Sequence, residues 1–127
     1  MFEQDYIMRQ IRECVAVTMK LIFKIDMPVP ETMVIQNQEK QAKSQELILR
    51  IDVDPIKDVL SDLNHITKEK TRDDLLIGFQ FYSRIFQKDE DFFDSNQISY
   101  SEIREEMKQF FLQYGIFEEL FDLIFFG

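Results

Sequence analysis

Apolar residues return every three or four positions along most of this chain, which is the period of a helix face, and no segment alternates convincingly as a strand does. Over residues 3–25, Ile7, Ile11, Cys14, Val15, Thr18, Ile22 and Ile25 line up on one side, and Met8, Met19 and Leu21 widen it. Arg9, Gln10, Glu13, Lys20 and Lys24 fall on the other side. The spacing predicts one amphipathic helix, about 35 Å long at ~1.5 Å per residue, which is enough to touch every other element. Asp26-Met27-Pro28-Val29-Pro30 ends it, because proline lacks the helical N–H and disfavours helix in the residue before it. Pro30 then opens a second helix over 31–51, anchored by Met33 to Ile35 and by Leu47 to Ile51. Its middle, Gln36 to Gln45, is almost wholly polar, which fits either a solvent-bridging helix or two shorter pieces.

Asp54-Pro55 reads as a capping acid with proline in the first turn of a third helix, whose stripe is Ile56, Val59, Leu60 and Leu63. Thr71-Arg72-Asp73-Asp74 sets a capping hydroxyl before two acids at the start of a fourth. That helix carries Leu75, Leu76, Ile77, Phe79, Phe81, Tyr82, Ile85 and Phe86 toward the core. Residues 88–98 read as a polar connector broken by Phe92-Phe93, and Ser99 with Glu102 has the spacing of a capping box. Ile103, Met107, Phe110, Phe111 and Tyr114 form the inner face of the helix that follows, and Gly115 suits the left-handed residue that closes it. The reading is an all-α fold, one domain over 1–127, with about six helices in antiparallel hairpins. The layout is either a compact bundle or a tetratricopeptide-like helical repeat, although the small residues of that repeat's consensus are missing, Ala16 and Ala42 being the only alanines.

The last stretch, 110–127, holds six of the thirteen phenylalanines. On a continuous helix Glu118, Glu119 and Asp122 share one arc, Phe117, Leu120, Phe121 and Ile124 the other, and Phe125 and Phe126 land at or among the acids. Three arrangements satisfy this: the helix stops near Ile124 and the last aromatics fold back, the first helix covers them, or a second subunit does. Phe117, Phe121, Phe125 and Phe126 are therefore the candidate interaction residues.

The formal charge of −9 disfavours nucleic acid and anionic lipid as partners. The charge is uneven: residues 1–25 carry Arg9, Arg12, Lys20 and Lys24 against Glu3, Asp5 and Glu13, whereas residues 73–106 carry nine acids against three bases. Cys14 has no partner cysteine, the first residues have no secretory character, and charges interrupt both apolar ends, so the expected location is cytoplasmic, with no membrane span.

Asp5-Tyr6-Ile7-Met8-Arg9-Gln10-Ile11, continuing to Lys20-Leu21-Ile22-Phe23, and the closing Gly115-Ile116-Phe117 with Asp122 and Phe125, resemble the two ends of an uncharacterised bacterial family of short helical proteins. The resemblance covers about a third of the chain. Leu120 and Phe121 depart from it, standing where a small residue and an acid are expected. It implies an all-helical, tetratricopeptide-like fold and supplies no catalytic residue.

The residues themselves supply none either. His65 is the only histidine, placed at a helix end, and Cys14 lies on an apolar face where a thiol is structural. One cysteine and one histidine do not make a zinc site, and isolated glycines do not make a phosphate loop. Asp91 to Glu102 has the twelve-residue length of a calcium loop, but Phe93 occupies a ligand position and Asn96 the position of the turn glycine, so it reads as a connector. Paired carboxylates such as Asp73-Asp74, Glu105-Glu106 and Glu118-Glu119 read as wet helix faces. No catalytic, metal or cofactor residue is assigned. The expected role is a non-catalytic protein–protein interaction module, with self-association as a dimer as a second form of the same reading. The alternative is a metal-dependent or acid/base enzyme built on the acidic second half.

Overall fold

A computed structural model describes the backbone over residues 2–25 and 33–126 and side chains over 6–25 and 33–125. The proline break at 26–30, the start of the second predicted helix and the Phe126 side chain lie outside the described residues. Seven helices run through what is described: α1 (Phe2–Ile22), α2 (Gln38–Arg50), α3 (Ile56–Ile66), α4 (Arg72–Ile85), α5 (Glu90–Ser95), α6 (Tyr100–Leu112) and α7 (Glu118–Phe126). The expected all-α class holds, with one short helix, α5, where a connector was expected.

Local signals account for several of the boundaries. Thr71 and Asp74 form a reciprocal capping box at α4, and Ser99 and Glu102 do the same at α6, each pair satisfying two otherwise orphan amides. Gly115, at φ +103°, takes the backbone conformation expected of it after α6. α1 ends before the prolines: Lys24 adopts φ +60°, and the amides of Phe23 and Ile25 both donate to the Met19 carbonyl, each at 3.1 Å. Leu21 and Ile22, expected inside, are therefore left 46% and 37% exposed where the helix closes.

α4 is the hub, packed against α1, α2 and α6. Leu75, Leu76, Ile77, Phe81 and Tyr82 are fully or almost fully buried along it, and the Tyr82 ring meets the Phe110 ring of α6 edge-on at 5.7 Å. Gly78 permits that approach, since a methyl group built on it would overlap the Phe110 ring. The packing is that of a bundle: α1 lies against α4 and α7, and α2 against α3 and α4.

The polar middle of α2 is explained by the face it turns toward α4. Lys40 Nζ sits 2.8 Å from the carboxylate of fully buried Asp74 and donates to the Ile66 carbonyl at 2.8 Å, and Ser44 Oγ donates to Gln80 Oε1 at 2.8 Å. Burial draws the Lys40 ammonium down, but Asp74 and Glu69 outweigh it and hold the pKa above the ordinary lysine value. Because 40 faces 74 and 44 faces 80, α2 and α4 run parallel. α2 starts at Gln38, well inside the predicted 31–51, because α4 satisfies the backbone ahead of it as loop. Asp73 accepts the Gln36 and Asn37 amides at 3.0 Å each, and Arg72 donates to the Val34 carbonyl at 2.8 Å. Asn37 then caps α2 through the Lys40 amide.

The two ends of the chain meet. Gln10, expected on the wet side of α1, is only 5% exposed and donates to the carbonyls of Ile124 and Phe125 at 3.2 and 3.3 Å, so it serves the last turn of α7. Ile22, at the other end of α1, lies beside Gly115, so α1 and α7 run antiparallel.

Candidate interaction surface

The four aromatic residues singled out from the sequence separate. Phe121 is fully buried and stacks on Phe125, itself 4% exposed, with ring centroids 4.3 Å apart, and Phe121 also leans on Phe111 at 6.4 Å. These two belong to the core of this chain, covered by α1 and α6. Phe117 is 72% exposed in the turn before α7. Leu21 and Ile22 are exposed at the nearby end of α1, so a small apolar corner faces solvent there.

Most of the acidic pairs are committed to structure. Lys108 reaches Glu118 at 2.8 Å and Asp122 at 3.1 Å, and those carboxylates raise its pKa while tying α6 to α7. Asp73 and Asp74 hold the start of α2 and its lysine, and Glu105 accepts from Gln109. The twelve residues from Asp91 to Glu102 do not form a calcium loop. Asp91 to Ser95 are helical, Asn96 is turned toward α3, and Glu102 is engaged with the Ser99 amide. Cys14 is fully buried, and burial, with the Glu13 charge, outweighs its hydrogen-bonding tie to Thr18 and pushes the thiol up to about 12. His65 is exposed in the last turn of α3, beside a crevice of about 190 Å³ shared with Arg50 and Asp62.

A larger concavity opens where the 51–57 corner faces the α4–α5 corner. It is an open groove of about 880 Å³, lined at one wall by Ile51, Val53, Pro55 and Ile56 and at the other by Lys88, Phe92 and Asn96. The corner at 51–54 is fixed by the Arg50 carbonyl, which accepts the Val53 and Asp54 amides at 3.1 and 2.9 Å. The Arg50 guanidinium meanwhile bridges Asp54 and Asp62 at 2.6 Å each. Val53 is left 80% exposed at the rim.

Asn96 joins the two walls. Its side-chain oxygen accepts the Ile56 amide at 2.8 Å, and its side-chain nitrogen donates to the Phe92 carbonyl at 2.9 Å. The sequence reading gave the capping of α3 to Asp54; in the structure the Ile56 amide is met by Asn96, forty residues beyond Ile56, and Arg50 has taken the Asp54 carboxylate. Lys88 supplies a second link, 2.6 Å from Asp52, with its ammonium 6.0 Å from the centre of the Phe92 ring. Sequence reasoning missed this groove. Its one local sign was Phe92-Phe93 inside an otherwise polar connector, and both rings are half-buried on α5.

The described residues hold no cluster of three or more histidine, cysteine or acidic side chains placed to hold a metal ion, and no helix among them is long and apolar enough to cross a membrane. The chain belongs to a family of unknown function, DUF6483, whose model matches residues 1–115. The match runs through the middle of the chain, which the resemblance at the two ends did not reach, and it stops at the Gly115 turn. No curated protein and no solved structure matches the chain.

Proposed function

We propose that this member of the DUF6483 family is a non-catalytic, cytoplasmic protein-interaction module that engages another protein through the groove between the 51–57 and 87–97 corners. One observation carries the reading: a concavity of about 880 Å³ presents the side chains of Val53 and Phe92 to solvent between walls joined by Asn96 and by the Lys88–Asp52 pair. A pocket of mixed apolar and polar lining, set between fixed backbone corners, suits a protruding side chain of a partner. The ionisable groups with reactive potential are placed elsewhere, Cys14 inside the core and His65 on the far part of α3.

Self-association is the second reading, and the exposed Phe117, Leu21 and Ile22 favour it as an apolar corner that a second copy would cover. One experiment separates the two. Tagged wild-type chain, Val53→Glu and Phe117→Ser are used to capture proteins from the native cytoplasm, and each is sized by light scattering over a concentration series. The expected result is a partner retained by wild type and Phe117→Ser and lost by Val53→Glu. A partner lost only by Phe117→Ser, or a dimer mass that Phe117→Ser alone abolishes, transfers the interface to the tail. Nothing retained above background, with a monomer mass throughout, overturns both readings.

A further inference from the structure

The groove has a sign. Four aspartates, Asp52, Asp54, Asp89 and Asp91, line it against two lysines, Lys57 and Lys88; Lys88 holds Asp52 and Arg50, just outside the lining, holds Asp54, each at 2.6 Å, which leaves Asp89 and Asp91 against Lys57. Asp58, Glu90 and Asp94 are exposed on the helices that flank it.

Backbone dipoles add to the side chains. Both α2, of thirteen residues, and α4, of fourteen, end at the groove, bringing their carbonyl ends to it through Ile51 and Gln87. Each such end carries the equivalent of about half a negative charge. The starts of α3 and of the short α5, of opposite polarity, also lie here, but the Ile56 amide is closed by Asn96 and the Phe92 amide by Asp89. Beside this negative field the groove keeps an apolar contact surface in Val53, Pro55 and the half-buried Phe92 ring.

The geometry points to a partner of definite chemistry: a protein segment that brings lysine or arginine side chains, next to an aliphatic one, into the groove. The cation meets Asp91 and the two helix ends, and the aliphatic group rests on Val53 and Phe92. This rests on the groove being the binding surface and names what it takes. The chain's charge of −9 steers such a segment toward it and repels acidic competitors.

The test uses the full chain, isotopically labelled, titrated with three synthetic amphipathic peptides of one apolar pattern, carrying lysine, glutamine or glutamate at the polar positions. The lysine peptide is expected to move the amide signals of 51–57 and 87–97, and to bind at least about tenfold more weakly when salt is raised from about 0.05 to about 0.3 M. Asp91→Asn is expected to weaken it about threefold, and Val53→Ser, which leaves the charge unchanged, about fivefold. Unchanged binding by Val53→Ser, with shifts spread over the whole acidic surface, means diffuse charge attraction and overturns the inference. Glutamine or glutamate peptides seating in the groove as tightly as the lysine peptide overturn the cationic class while leaving the groove as the interface. If no peptide moves the groove signals, the groove itself falls, and the inference with it.

Discussion

Helices α4 and α5 adjoin along the chain, yet α4 buries eight of its fourteen residues and α5 buries none of its six. Both begin with a good cap, Thr71 for α4 and Asp89 for α5, so local chemistry does not separate them. Packing does. α4 is held from three sides by α1, α2 and α6, with the Lys40–Asp74 pair and the Tyr82–Phe110 rings in its contacts. α5 is held through the Asn96 hydrogen bonds and the Phe93–Tyr100 ring contact at 5.9 Å. A helix surrounded on three sides has no face to offer a partner, whereas one attached by a few directional contacts forms a wall of a groove and keeps its outer residues wet. The difference places stability in α4 and, on the proposed function, recognition at the α5 corner.

The comparison is broken most strongly at Gly78. Gly78→Ala places a methyl group inside the Phe110 ring's space and forces α4 and α6 apart, at an expected cost of about 3 kcal/mol. Urea unfolding measures it, and a change below about 0.5 kcal/mol means that Phe110 rotates away freely and that the hub is looser than described.

Alkaline pH tests the same core with a smaller effect. Cys14 is raised from 9.0 to about 12, so between those values the unfolded chain releases a thiol proton that the folded chain keeps. Its stabilising contribution is complete below pH 9 and is lost as pH rises toward 12. Stability should fall by up to about 1.4 kcal/mol per pH unit from this group alone. Tyr82 and Tyr114, raised chiefly by burial, act in the same direction above pH 10. Melting curves from pH 8 to 10.5 measure the slope, and Cys14→Ala should flatten its first part; an identical slope in that variant removes Cys14 from the account.

The smallest effect belongs to the α5 corner. Asn96→Ala removes the acceptor of the Ile56 amide and the donor to Phe92, with an expected cost of about 1 kcal/mol. Hydrogen exchange should quicken in the first turn of α3 and across α5 while α4 stays protected. Equal acceleration in α4 would erase the distinction between the two regions.

Much of α4 and α6 was legible in advance. The capping hydroxyl of Thr71, the Ser99–Glu102 box and the buried set from Leu75 to Phe86 follow from residues within a turn of one another, whereas the return bond from the Thr71 amide to Asp74 came only with the structure. The tail was half legible: its apolar character was plain, but not that Phe121 and Phe125 stack inside the chain while Phe117 stays out. Helical periodicity groups Phe117 with Phe121 and sets Phe125 apart, whereas the structure pairs Phe121 with Phe125. Which of them is covered depends on where α1 lies, and α1 is separated from them by about a hundred residues.

The sequence by itself determined the class, most of the helices, one capping box, the capping hydroxyl of α4 and the acidic balance, because those rest on side chains within one or two turns of each other. Only the tertiary structure decided that Gln10 closes the end of α7, that Asp73 stops α2 from starting earlier, that Lys40 belongs to Asp74, and that Asn96 rather than Asp54 meets the Ile56 amide. Each of these joins a polar group to a partner that is remote in the chain. A buried or half-buried polar group must find some partner, but periodicity does not say which, and the choice is made by the helices that the packing of apolar faces happens to bring alongside.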